Sequence, residues 1–183
     1  MGKIYNTNKS YGLITIIIHW LMAIIIIGLF ILGKYMIDLD YYDNYYHIAP
    51  WWHKSFGLLT AMILIFRLIW RGINPKVQAL SNHKTYEIKL ATVMQIILYL
   101  LVLTCCISGI LISTAEGADI SFFDLFKLPS FLSMGGEQTE IAEEIHEFAT
   151  TALIVIASLH MLAALKHHFI NKDNTLIRIL TNK

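Results

Sequence analysis

Apolar positions along this chain gather in four long blocks, not at the alternating spacing of a half-buried strand. Residues 13–33 carry no charge, and neither do residues 148–165. Residues 88–112 carry one, Lys89. A fourth block starts at residue 55 and runs to Trp70 past a single cation, Arg67. A membrane span needs about 20 predominantly apolar residues. The pattern therefore predicts four transmembrane helices, near 13–33, 52–71, 88–112 and 147–169, in an all-α four-helix bundle. The first block is longer than the apolar region of a signal peptide, and no small-x-small cleavage site follows it. It is expected to be a retained helix.

Composition agrees. Of 183 residues, 56% are hydrophobic and 15% charged, whereas a soluble domain is about a quarter charged. Mean hydropathy is +0.59. No room is left for a soluble catalytic domain, so one membrane domain is expected over residues 1–183. The net charge of +1 hides a strong polarity. The N-terminus, the 72–87 loop, the C-terminus and the helix ends facing them hold Lys3, Lys9, Arg67, Arg71, Lys76, Lys84, Lys89, Lys166, Lys172, Arg178 and Lys183. The other side holds Lys34, Lys54 and Lys127 with 11 of the 13 acidic residues, all but Glu87 and Asp173. The positive-inside rule predicts cytoplasmic termini. Tyr41, Tyr42, Tyr45, Tyr46, Trp51 and Trp52 crowd the outer end of the second helix, and Trp70 marks its inner end, as aromatic belts do.

The connecting segments offer little chemistry. Asn74-Pro75 marks a turn in the inner loop. Residues 114–146 form the longest outer loop, and its amphipathic piece 120–126 is expected to be a short interfacial helix. Cys105 and Cys106 are adjacent and mid-span, without a C-x-x-C or haem-attachment spacing, and read as packing residues. There is no nucleotide-binding glycine motif, no hydrolase-like triad and no sign of a nucleic-acid partner.

Four histidines stand out because a histidine inside a bilayer is costly and usually kept for a reason. On the predicted topology His19 and His160 lie at similar depth in the inner half, and His53 and His146 lie together at the outer side. His146 and His160 are 14 residues apart, nearly four whole helical turns, so they leave one face of one helix roughly 21 Å apart. A lone histidine is as often hydrogen-bonding glue between helices. Four at paired depths, two of them in phase, favour a cofactor. Zinc wants four ligands, or three and water, and neither pair supplies them. Haem iron needs only two axial ligands. One turn beyond the candidate ligands stand small residues, Ala23, Gly57, Thr150 and Ala164, and Ala149 and Ala157 add room along the fourth helix. A bundle core is a usual place for such a group.

Other polar residues fall around these pairs. Lys54 at the outer level and Arg67 and Arg71 at the inner level are candidates to pair with haem propionates, or to snorkel to lipid headgroups. His47 and His83 sit in loops and read as solvated surface. His167 shares the face of His160 at the inner rim, near a propionate or in the interface. His168 points elsewhere and is expected in the interface.

The chain resembles the bacterial cytochrome b561 family of di-haem membrane proteins. The matching pieces are residues 18–23, Ile-His-Trp-Leu-Met-Ala; 52–57, Trp-His-Lys-Ser-Phe-Gly; and 66–71, Phe-Arg-Leu-Ile-Trp-Arg, with Asn74-Pro75 after it. Leu98-Tyr99, Ser108-Gly109, His146, the run 159–169 through His160 and His167-His168-Phe169, and the tail 172–176 also match. The resemblance implies two b haems on the same four axial histidines, in a multi-pass protein of the bacterial inner membrane. It also implies electron exchange with ubiquinone, and in some members oxidation of superoxide, so an oxidoreductase is expected. One departure is visible. The family often shows His-x-x-His in the third helix, where this chain has Thr92 and Gln95. The third helix should supply no axial ligand.

Two rivals remain at this point. A haem-bearing membrane anchor would dock a dehydrogenase or hydrogenase, or another redox protein, on its outer loops. A haem-free carrier would use the histidines as a metal or proton path, against which the lack of intramembrane carboxylates counts. Superoxide, an anion, would also meet an acidic outer face, unless Lys34, Lys54, Lys127 and His47 form a local positive patch.

Overall fold

A computed structural model of the chain describes residues 4–130 and 135–181. Lys3 and Lys183, counted above with the inner cations, lie outside these. Four long helices carry the fold: α1 Leu13–Ile37, α2 Ile48–Ile73, α3 Thr85–Thr114 and α4 Glu137–Phe169. The shortest has 25 residues, roughly 37 Å at 1.5 Å per residue, and a bilayer core is about 30 Å thick. All four are long and apolar enough to cross a membrane. Side chains such as Ile24, Ile31, Ile65, Leu100 and Leu162 stand exposed along them. In lipid that is the favourable arrangement, since the helices satisfy their own backbone groups and the tails solvate the surface.

The helices exceed the predicted spans at most ends, and α4 does so most. It begins nine residues before His146, not at it. Gly136, at φ 45°, turns the chain into the helix, and Glu137 and Glu140 occupy its first turn, where carboxylates suit the helix dipole. The polar outer turns are helical because Glu, Gln and Ala are good helix formers. The α2 helix starts at Ile48, so Pro50 falls in its first turn, where proline costs little.

The expected interfacial helix at 120–126 is instead a β-hairpin. The strands β1 Ile120–Phe122 and β2 Phe126–Leu128 pair antiparallel. Phe123 and Asp124 at its tip both take positive φ, which aspartate tolerates better than most residues. The Ser121 hydroxyl meets Asp124 Oδ1 at 2.8 Å and accepts from the Asp124 N–H. Such local bonds compete with helix formation. The hairpin buries Ile120 and Phe122 against Leu58. Ser55 of α2 is fully buried beneath it, donating to the Ser121 carbonyl and accepting from the Phe123 N–H, each at 3.2 Å.

At the opposite end the N-terminal segment, the 74–84 loop and the C-terminal tail are knitted together. Asn6 Oδ1 accepts from the Gly12 N–H and the Thr15 hydroxyl. A side chain at Gly12 would collide with the Ile4 carbonyl. Trp70 stacks on Tyr5 and donates to Thr15. Trp20 donates to the Ile179 carbonyl, and Arg178 to that of Lys9. Past α4, burial works to raise the Asp173 carboxyl, but hydrogen bonds from Thr175 and His167 outweigh it and hold it well below the usual carboxylate range.

Packing is sequential. The α1 helix lies along α2, α2 along α3, and α3 along α4, while α4 makes few contacts with α1 and scarcely any with α2. A core of Ile18, Met22, Leu64, Trp70, Val102 and Leu153 draws all four helices together in their middle and inner parts. Elsewhere α4 stands off from α1 and α2.

Candidate functional site

Histidines face one another across that separation. His19 of α1 meets His160 of α4 with ring centroids 6.5 Å apart and planes at 69°. His53 of α2 meets His146 of α4 at 6.3 Å and 72°. The sequence pairing is therefore the spatial one. These rings are too far apart to hydrogen-bond directly. Two iron–imidazole bonds of about 2 Å each and two ring radii of about 1.1 Å would separate the centroids by roughly 6.2 Å. Both pairs stand within about 0.3 Å of that spacing. At Gly57, on α2 one turn from His53, an added Cβ would meet nothing within 4 Å, so open space lies where a flat macrocycle needs it. The donor chemistry, the spacing and the room all fit b-type haem.

What holds the rings differs between the pairs. His146 Nδ1 is 2.9 Å from the Ser108 hydroxyl, which donates to the Thr104 carbonyl at 2.7 Å. The hydroxyl proton is thus engaged, and the oxygen is free to accept from an Nδ1–H. That tautomer leaves Nε2 for an axial bond. His53 Nδ1 is buried with no hydrogen-bond partner. Its ring lies against Gly33 of α1, where a Cβ would come within 3.2 Å of Cε1. Gly109 of α3 gives His146 the same clearance, 3.2 Å.

The chain belongs to the prokaryotic cytochrome b561 family. Residues 10–182 match the family model described under that name. A cytochrome b561 homolog 2 of Escherichia coli K12 is 43% identical over 175 residues, covering 96% of this chain and 93% of that one. A probable superoxide oxidase CybB of Yersinia pestis is 27% identical over 179 residues, covering 96% and 98%. Like its family, the chain is a multi-pass membrane electron-transfer protein, and the family binds b-type haem.

The cations are distributed unevenly around the two histidine pairs of this cytochrome. Arg67 places Nη2 3.3 Å from His19 Nδ1 and donates from Nε to the Tyr99 hydroxyl at 2.9 Å. Arg71 donates to Gln95 at 3.3 Å. Both guanidinium groups lie against the Tyr99 ring, 5.4 and 5.5 Å from its centroid. Gln95, where the family often has histidine, thus anchors an arginine, and Thr92 bonds back to the Ile88 carbonyl. Lys54 points into an outer cavity of about 450 Å³ with His47, Tyr46, Trp51 and Asp119 around it. The local positive patch envisaged from sequence is not assembled. Lys34 pairs with Glu147 at 3.3 Å, Lys127 sits in the hairpin, and only Lys54 and His47 come together.

His83 is not solvated surface. It is partly buried and meets Asp173 and Thr175. His167, too, binds Asp173, at 2.7 Å. His47 is exposed, against Tyr41 and Tyr46. Cys105 and Cys106 are free thiols packed on the central core. The roles of Ser108, Gly33 and Gly109 escaped sequence reading, which gave Ser108-Gly109 only as a matching piece. A signal for two of them was present. Gly33 follows His19 by 14 residues, Arg67 follows His53 by 14, and Gly109 follows Gln95 by 14. Each helix repeats the step that separates His146 from His160.

Proposed function

We propose that this cytochrome holds two b haems, an inner one on His19 and His160 and an outer one on His53 and His146, and carries electrons from an outer-side donor to ubiquinone. The spacing of both facing pairs, 6.5 and 6.3 Å, carries this reading. When bound, haem supplies one-electron chemistry; the chain supplies position, burial and charge. His146 is held by Ser108 in the tautomer that presents Nε2. An iron-bound His19 would carry its proton on Nδ1, and Arg67 is a donor only. The arginine would then leave His19 for an anion, and a propionate is the anion available there. Arg71, Lys54 and the clearance at Gly57 serve the same groups. The excess of lysine and arginine on one side supports cytoplasmic termini in a bacterial inner membrane, with residues 1–183 acting as one domain.

The name of the Yersinia relative makes superoxide the donor to test first. Two superoxide anions would each give up one electron and leave as dioxygen, and one quinone would take up both electrons and two protons. Among the described residues, the outer cavity brings Lys54 and His47 together beside Asp119, and it is where we place the approach of the anion. Stopped-flow mixing with superoxide should reduce the haems; no reduction at a useful rate removes superoxide and leaves the haem assignment standing.

Optical difference spectra test the haem assignment itself. His53→Ala or His146→Ala should remove the outer haem and keep the inner one. His19→Ala or His160→Ala should do the reverse. Loss of the opposite haem would overturn the pairing. The anchor-subunit alternative predicts a tightly bound redox subunit on purification from native membranes.

A further inference from the structure

A second constellation lies at the end of the bundle that carries both termini. His83 comes from the loop between α2 and α3, His167 from the last turn of α4, and Asp173 from the tail beyond it. One ligand atom of each lies within 4.8 Å of the other two. His83 Nε2 is 3.3 Å from Asp173 Oδ2, and His167 Nδ1 is 2.7 Å from the same oxygen. The two imidazole rings stand 4.7 Å apart. The Asp173 side chain is 4% exposed, and those of His83 and His167 are 14% and 12%.

We infer that His83, His167 and Asp173 form a binding site for a divalent transition-metal ion of the zinc class. Two imidazole nitrogens and one carboxylate oxygen are a donor set that zinc accepts, with a fourth position left for another oxygen. Two neutral imidazoles and one carboxylate offer a single negative charge to a doubly charged ion. Tetrahedral zinc with bonds of about 2.1 Å places its ligand atoms roughly 3.4 Å apart. His83 and Asp173 already stand at 3.3 Å. The His167–Asp173 contact at 2.7 Å has to open by about 0.7 Å to reach that spacing.

The surroundings aim the donors inward. The other carboxylate oxygen, Asp173 Oδ1, is taken by the backbone and hydroxyl of Thr175, which leaves Oδ2 to both imidazoles. The Thr175 hydroxyl lies 3.1 Å from His83 Nε2 and can fill the fourth position. Lys172, at φ 53°, turns the chain so that Asp173 returns toward His167. The nearest cation on α4, Lys166, is drawn off by Glu87 at 2.9 Å. Without an ion the three side chains form a hydrogen-bonded clamp. With one, each ring carries its proton on the far nitrogen, and the metal fastens loop, helix end and tail together.

The test uses the purified haem-loaded protein, stripped with a chelator and dialysed against buffered zinc. Bound zinc is measured by elemental analysis, with the haem spectrum as the folding control. One zinc per chain is expected, and with it a higher thermal midpoint for the zinc-treated protein. His83→Gln and Asp173→Asn should weaken zinc binding by an order of magnitude or more and abolish that rise, with the haem spectrum unchanged. Zinc uptake that is absent in the parent protein, or equal in the parent and His83→Gln, overturns the proposal and leaves a hydrogen-bond clamp only.

Discussion

At the scale of single residues the two histidine pairs are set by very small neighbours. Ser108 accepts from His146, and an acceptor on the far nitrogen makes an axial imidazole a stronger donor to iron. Stronger donation favours the oxidised metal. Ser108→Ala should therefore raise the midpoint potential of the outer haem, on the order of tens of millivolts, and leave the inner one in place. Spectroelectrochemical titration reads both. Gly109 acts by what it lacks. Its missing Cβ would lie 3.2 Å from the His146 ring, and a branched side chain would reach further. Gly109→Val should cost the outer haem and spare the inner one in the reduced-minus-oxidised spectrum. The histidines were legible in the sequence because a polar ring in an apolar block is conspicuous. The glycines were not, because room for a neighbour leaves no mark on composition. Their register did leave one, in the repeated 14-residue step.

At the scale of elements, long apolar blocks predicted four spans, and the described residues hold four helices long and apolar enough to be them. Block composition says nothing about where a helix ends outside the membrane, so the acidic first turns of α4 were assigned to a loop. Nor could seven amphipathic residues choose between a short helix and a hairpin at 120–126. Tertiary packing decides that, through Ser55 under the hairpin and Ile120 and Phe122 on Leu58. Ser55 makes the test simple. Its removal leaves the Ser121 carbonyl and the Phe123 N–H without a buried partner, at about 1–3 kcal/mol for such a group. Ser55→Ala should lower the thermal midpoint and increase proteolysis within 114–130, with the haem spectrum retained. An unchanged midpoint would mean that the hairpin is held by its apolar contacts alone.

At the scale of the whole molecule the decisive feature is the distance that α4 keeps from α1 and α2. A bundle driven by packing alone would close such a gap. Here it is spanned at two depths by facing imidazoles, both α4 partners on one helix face. The α3 helix, packed closely on α4, contributes no histidine and serves as a backing plate through Ser108 and Gly109. On the proposed assignment of two haems, this division of labour makes electron transfer directional in a testable way. In proteoliposomes with the termini inside, a membrane-impermeant outer donor should reduce both haems of the parent protein and then the quinone. With His160→Ala the outer pair is untouched, so the outer haem should still be reduced at the parent rate. Quinone reduction should fall at least tenfold, because the second redox centre is missing from the path. With His53→Ala the first step itself should fail, and the inner haem should stay oxidised although present. Equal quinone reduction by His160→Ala and the parent would place the quinone at the outer haem, and the 14-residue step along α4 would then space two centres without serving a crossing.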